Sequence, residues 1–203
     1  MKTLSVALLV SVLSSQAFAG GPTVAVDDPL PTAAPASAPA HDWSGPYAGL
    51  SYGTAKGDVV SGSASPVQLD DGSLTSIYIG TLVQRGNFVW GGELAYGSVS
   101  GTTYLGFVDS RFDKVLDLKG RVGFAANRAL FYGVIGYSSA PFVDASTEYD
   151  TAGLALGLGA DFAVSDRVTV GLEYLTRDLS GGNGIGTMDA SLDTLSLRVG
   201  LSF

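Results

Sequence analysis

Along the last nine residues of the chain, Leu195, Leu197, Val199, Leu201 and Phe203 alternate with Ser196, Arg198, Gly200 and Ser202. A period of two is that of a β-strand, whose successive side chains point to opposite faces, so this segment reads as a strand with one apolar face. The pattern recurs upstream in pieces of about ten residues bounded by turn residues, giving eight strands in all. The first seven are placed at about 43–54, 74–84, 88–99, 112–125, 129–138, 151–164 and 168–176, and the eighth is the closing segment. In the third, Phe88, Trp90, Leu94 and Tyr96 share a face. In the fourth, Leu116, Leu118, Val122 and Phe124 alternate with Asp117, Lys119, Arg121 and Gly123, so the opposite face is charged. In the sixth, Leu154, Leu156, Leu158, Ala160 and Phe162 oppose Gly153, Ala155, Gly157, Gly159 and Asp161, one face bulky and the other nearly bare.

Connections alternate in length: 85–87, 126–128 and 165–167 are short, whereas 55–73, 100–111, 139–150 and 177–190 are long. Short turns at one end and long loops at the other predict an all-β, eight-stranded antiparallel up-and-down transmembrane β-barrel. Its turns and both chain ends lie on the periplasmic side, and its loops lie outside. Trp43, Tyr47, Trp90, Tyr96, Tyr132, Tyr137 and Phe203 fall near strand ends, as two interfacial aromatic girdles require. With the apolar faces on lipid, Glu93, Asp117, Lys119, Arg121, Asp161, Glu173 and Arg198 point into the lumen. Unpaired buried charges are costly, so these are expected to form ion pairs that fill an interior with room only for side chains. Transient rearrangement of such pairs would allow the alternative, a small ion-conducting channel. A soluble lipocalin-like barrel, with the apolar faces inside and the charges outside, is the third reading.

The N-terminus adds an export signal. Lys2 precedes the apolar run Leu4–Leu13, and Ala17-Phe18-Ala19 forms a cleavage motif before Gly20, so residues 1–19 read as a signal peptide. Residues 20–42 carry Pro22, Pro29, Pro31, Pro35 and Pro39 among Ala, Thr, Ser and Asp, and read as a disordered linker ahead of a barrel at 43–203. The chain holds no cysteine, which excludes a disulfide framework. Mean hydropathy is high at +0.30. No apolar run of about 18 residues follows the signal, so the hydrophobicity belongs to strands rather than helical spans. A net charge of −8 argues against nucleic acid as a partner.

Catalytic chemistry finds little material. The one histidine, His41, lies in the linker, leaving no imidazole base for a hydrolase or acyl transferase in the barrel. Glu93 with Glu173 is better explained as a set of arginine partners than as a glycosidase pair. Asp70-Asp71 and Asp144 with Glu148 and Asp150 lack Ca²⁺-loop spacing. The glycines alternate along strands rather than opening a helix, so no phosphate cradle is predicted. The expectation is a protein that is not an enzyme and uses no cofactor or metal.

Several segments together resemble the opacity-type outer-membrane surface proteins, porin-like barrels that include alpha-proteobacterial surface antigens. They are Trp43-Ser44-Gly45-Pro46-Tyr47-Ala48-Gly49-Leu50, Gly86-Asn87-Phe88-Val89-Trp90-Gly91-Gly92-Glu93 and Leu118-Lys119-Gly120-Arg121-Val122-Gly123, followed by Gly157-Leu158-Gly159-Ala160-Asp161-Phe162 and Val170-Gly171-Leu172-Glu173-Tyr174. The resemblance implies an OmpA-like barrel in the outer membrane of a Gram-negative bacterium. It also implies roles in envelope integrity and, through loops such as 55–73 and 177–190, contact with host or cell-surface ligands. The alternating residues Leu195, Leu197, Val199, Leu201 and Phe203 are similar to the signal that such barrels show to the barrel assembly machinery. Outer-membrane lipid and that machinery are therefore the expected partners. The sixth strand is poorer in polar lumen residues than the family pattern, the linker is longer than a plain barrel needs, and no peptidoglycan-binding domain is expected after Phe203.

Overall fold

Along Lys114–Ala126, Asp117, Lys119 and Arg121 are buried while Leu116, Leu118, Val122 and Phe124 are exposed, Lys119 at 3% and Leu118 at 64%. This is the reverse of a soluble protein, in which charged side chains are almost never fully buried and large apolar ones seldom form the surface. The soluble lipocalin-like reading is corrected by this inversion: the apolar set faces outward on every long strand, as lipid requires.

The computed structural model describes residues 41–61, 67–68, 70–101, 103–104, 107–144, 147–182 and 187–203. The chain divides into residues 1–37 and 38–203, and the expected signal peptide and most of the expected linker lie outside the described residues. Eight long strands form the wall: β1 (Gly45–Ser61), β2 (Gly72–Arg85), β3 (Phe88–Ser100), β4 (Lys114–Ala126), β5 (Ala129–Ser139), β6 (Thr147–Ala163), β7 (Val168–Gly182) and β8 (Thr187–Ser202). Each pairs antiparallel with the next, and β8 returns to β1 in a register running from Tyr47↔Ser202 to Ser61↔Met188, which closes the barrel and removes its edges. Short strands at Val67–Gln68, Thr103–Tyr104, Phe107–Phe112 and Phe142–Asp144 prolong the wall at the loop end.

The strands reach further toward that end than expected. The first runs to Ser61 rather than about 54, the sixth starts at Thr147 rather than about 151, and the seventh runs to Gly182 rather than about 176. The fourth is interrupted, with Phe107–Phe112 pairing with Phe142–Asp144 as a separate strand. Turn-type residues such as Gly57-Asp58 and Gly181-Gly182 read as loop, but continuous cross-strand pairing carries them as strand. The tight turns at the other end use the residues that left-handed backbone needs, Gly86 at φ 60° and Asn127 at φ 56°.

Three tyrosines, Tyr47, Tyr78 and Tyr132, lie inside, each opposite an inward glycine on a neighbouring strand: Gly80, Gly49 and Gly159. At all three glycines a Cβ atom would run into the facing tyrosine ring. Glycine here makes room for an aromatic side chain to lie across the interior. Gly159→Val is expected to lower barrel stability by about 1–3 kcal/mol through this overpacking. Gly133→Val, at an outward site where the nearest atom is 3.9 Å from a Cβ, should leave it nearly unchanged. Urea titration of vesicle-inserted protein, followed by heat-modifiable gel mobility, reads the difference.

The burial of these rings also corrects the aromatic girdles. Tyr96, Tyr137 and Phe203 are outward and exposed and Trp90 is half-buried, but Trp43, Tyr47 and Tyr132 are buried. A tyrosine hydroxyl seeks a polar partner, and the lumen carboxylates supply one. Toward the loop end a separate apolar cluster including Leu74, Val99, Phe112, Val115, Leu179 and Leu192 occupies the interior.

Candidate functional site

The alternation that puts leucine on lipid sends every second residue of adjoining strands toward one axis, and charged side chains from five strands meet there. Glu93 on β3 stands directly across from Lys119 on β4. Lys119 lies 2.6 Å from Glu93 and 2.7 Å from Glu173. Arg198 reaches in from β8, its Nη2 2.5 Å from Glu93 Oε2 and its Nη1 3.0 Å from Glu173 Oε1. Arg121 donates to Asp161 on β6 at 2.5 Å and to Glu93 at 3.3 Å.

The tyrosines complete this arrangement. Tyr47 donates its hydroxyl to Glu93 at 2.8 Å, and Tyr132 lies within hydrogen-bond reach of both Glu173, at 3.2 Å, and Asp161, at 3.3 Å. The Arg121 guanidinium sits 3.7 Å from the Tyr132 ring centroid and that of Arg198 3.9 Å from Tyr78. A planar cation between an aromatic face and carboxylates keeps both its charge and its faces satisfied after leaving water.

Six of the seven charged residues singled out in the sequence thus meet in one cluster of three anions and three cations. Asp117 stands apart. It takes Arg177 in a two-point pair at 2.9 and 2.7 Å, accepts from Ser138 at 2.5 Å, and through Arg177 is tied to Thr194 at 3.1 Å. Arg177, a member of the lumen set at 2% exposure, was missed because the sequence reading placed it in a loop; β7 continues past it with unbroken alternation. A charge count contained the signal. The expected set held four anions, Glu93, Asp117, Asp161 and Glu173, against three cations, Lys119, Arg121 and Arg198. A closed interior penalises an unmatched charge, so one further inward cation was required. With Arg177 the buried set among the described residues balances, four against four.

Every carboxylate of this interior is already engaged by cations and hydroxyls, as a structural network would be. His41 lies at the short-turn end, its ring edge-on to Trp43 at 4.8 Å and its backbone N–H donating to Asn127 O at 3.2 Å. Between Trp43 and the charged cluster lies a cavity of about 20 Å³, lined also by Tyr47, Tyr78, Arg121, Asp161 and Arg198. That volume suits about one water molecule. Leu195, Leu197, Val199 and Leu201 line the outer wall of β8, and Phe203 extends from its end, its N–H donating to Pro46 O at 3.1 Å.

A family model described as outer membrane protein beta-barrel domain matches residues 5–203. Among solved structures, neisserial surface protein A (NspA) superposes with a TM-score of 0.50 at 15% identity, over 79% of this chain and 98% of that one. Ail, the attachment invasion locus protein of Yersinia pestis, does so with a TM-score of 0.48 at 17% identity, over 78% of this chain and 99% of that one. No curated protein matches the chain. The likeness to NspA is one of fold.

Proposed function

The chain belongs to the outer-membrane β-barrel domain family and resides in the outer membrane of a Gram-negative bacterium, and from that premise we propose a structural and surface-contact barrel with a closed lumen. The observation that carries this reading is the balanced interior: four anions and four cations, each held by at least one opposite charge, with an apolar cluster toward the loop end. Opening a path through it would break several buried ion pairs at once, each costly to leave half-made. The same engagement of every lumen carboxylate supports a role without catalysis.

In this reading the short turns face the periplasm and the loop end faces outward. Residues 1–19 act as a removable export signal, residues 20–42 as a periplasmic linker, and the outward side chains of β8 with Phe203 as the signal read by the assembly machinery. The loop end presents Asp58, Asp70, Asp71, Asp178 and Asp189, with Lys56 paired to Asp71 at 2.9 Å. A host or cell-surface ligand is therefore expected to be cationic or neutral rather than polyanionic.

Insertion of refolded protein into planar bilayers tests the closed lumen, with heat-modifiable mobility verifying the folded barrel in the same preparation. The expected result is stable insertion without steady conductance. Reproducible ion steps from folded protein would overturn it in favour of a small channel.

A further inference from the structure

The chain does not enter β1 straight from below. At Gly45 the backbone turns at φ +119°, a value that residues with a side chain rarely adopt. The preceding residues then cross the short-turn mouth of the barrel. Ser44 Oγ accepts from the Gln84 N–H of β2 at 3.1 Å, and the Trp43 N–H donates to Gln84 Oε1 at 2.8 Å. His41 bonds Asn127 in the turn between β4 and β5. In an eight-strand ring that turn lies across the mouth from β1, so four residues reach from one side of the opening to the other.

Trp43 is buried by this crossing and forms the floor of the cavity beneath Arg121 and Arg198. The docking is polar at its ends, while at its centre the buried His41 Nε2 and Trp43 Nε1 bond no other protein group. The segment is thus tied to the wall by three hydrogen bonds, two at Gln84 and one at Asn127, few enough for an element that can leave.

We infer that residues His41–Ser44 are a stopper on the short-turn mouth of the lumen, hinged at Gly45 and released by acid through His41. The charges that face the imidazole are Arg128 from the β4–β5 turn, Asp166 from the β6–β7 turn and Asp42 of the segment itself. Burial lowers the His41 pKa below its usual 6.5, Arg128 lowers it further, and the two aspartates offset this in part. The docked segment therefore prefers the neutral ring. The part of docking linked to His41 is fully present above about pH 6.5 and is lost as pH falls below it, since the released segment binds the proton more readily.

This goes beyond the closed-lumen reading and does not depend on it, because conductance tests the ion-pair layer whereas the stopper is tested at the mouth alone. The chain has two tryptophans, so Trp90→Phe leaves Trp43 as the only indole. With this full-length protein refolded in detergent micelles, acrylamide quenching of Trp43 is measured from about pH 8 to about pH 4.5. Quenching should be weak at the upper end and rise several-fold on acidification, while heat-modifiable mobility still reports a folded barrel. Adding His41→Gln should hold it low throughout, and adding Gly45→Val, which strains the hinge, should raise it even at neutral pH. Strong quenching of the parent at high pH, a flat profile, or an equal rise with His41→Gln would overturn the inference. So would loss of the folded mobility at acid pH, which would make exposure a global event.

Discussion

Replacing Glu93 with leucine is expected to destabilise the barrel by about 3–5 kcal/mol, the range for breaking one side of a buried ion pair. Glu93 lies within 3.3 Å of Lys119, Arg121 and Arg198 and accepts the Tyr47 hydroxyl, so its removal leaves three buried cations facing Glu173 and Asp161 alone. Glu93→Gln keeps the shape and an acceptor but not the charge, and should fall between. The double change Glu93→Leu with Arg198→Leu restores neutrality in the cluster and should recover much of the loss, a coupling that a double-mutant cycle isolates. Urea unfolding in lipid vesicles, read by tryptophan emission and gel mobility, gives these values together with that of Arg198→Leu alone, which the cycle requires. A single-site loss below about 1 kcal/mol, the level of an exposed pair, would mean that the network contributes no more than surface charges do.

Arginine at Leu158 probes the other side of the wall. Leu158 is 66% exposed and stands in the middle of the outward run Leu154, Leu156, Leu158, Ala160 and Phe162 on β6. Placed in the hydrocarbon, Leu158→Arg should cost about 2–4 kcal/mol, falling toward nothing for a substitution at the interfaces. Arginine at Leu154, nearer the loop end of the same face, is therefore expected to cost less. The pair measures where the lipid lies along the strand. Equal and negligible effects at both sites would show that this face does not meet lipid.

Most of the wall was legible because lipid imposes a strict rule: a closed ring of strands with apolar residues on one face leaves a two-residue period in the sequence. That period placed the lower parts of all eight strands and the two-residue turns at Gly86 and Asn127. It failed toward the loop end, where strands rise above the apolar belt and lose the contrast between faces. There Gly and Asp look like turns, and only pairing with a neighbour, as in Gly181↔Met188, keeps the strand going. Arg177 was lost for that reason. The inward tyrosines were obscured differently. Aromatic residues suit an interfacial girdle, and whether Tyr47 or Tyr132 turns to lipid or to the lumen depends on register, which fixes a glycine opposite each ring and a carboxylate within reach. His41 reads as the end of a linker and Trp43 as the start of the first strand, until the turn at Gly45 sends both across the mouth.

The partners Glu93 and Arg198 are 105 residues apart in the chain, and Arg198 lies on β8, the strand that returns to β1. Consider the barrel with seven strands assembled. Its central cluster then holds Glu93, Asp161 and Glu173 against Lys119 and Arg121, a surplus of one negative charge. The arriving β8 brings the missing cation on the same strand that zips both seams, to β1 and to β7. Neutralising the interior and completing the ring therefore depend on one strand, and a wall without β8 would be both open at its seam and one positive charge short.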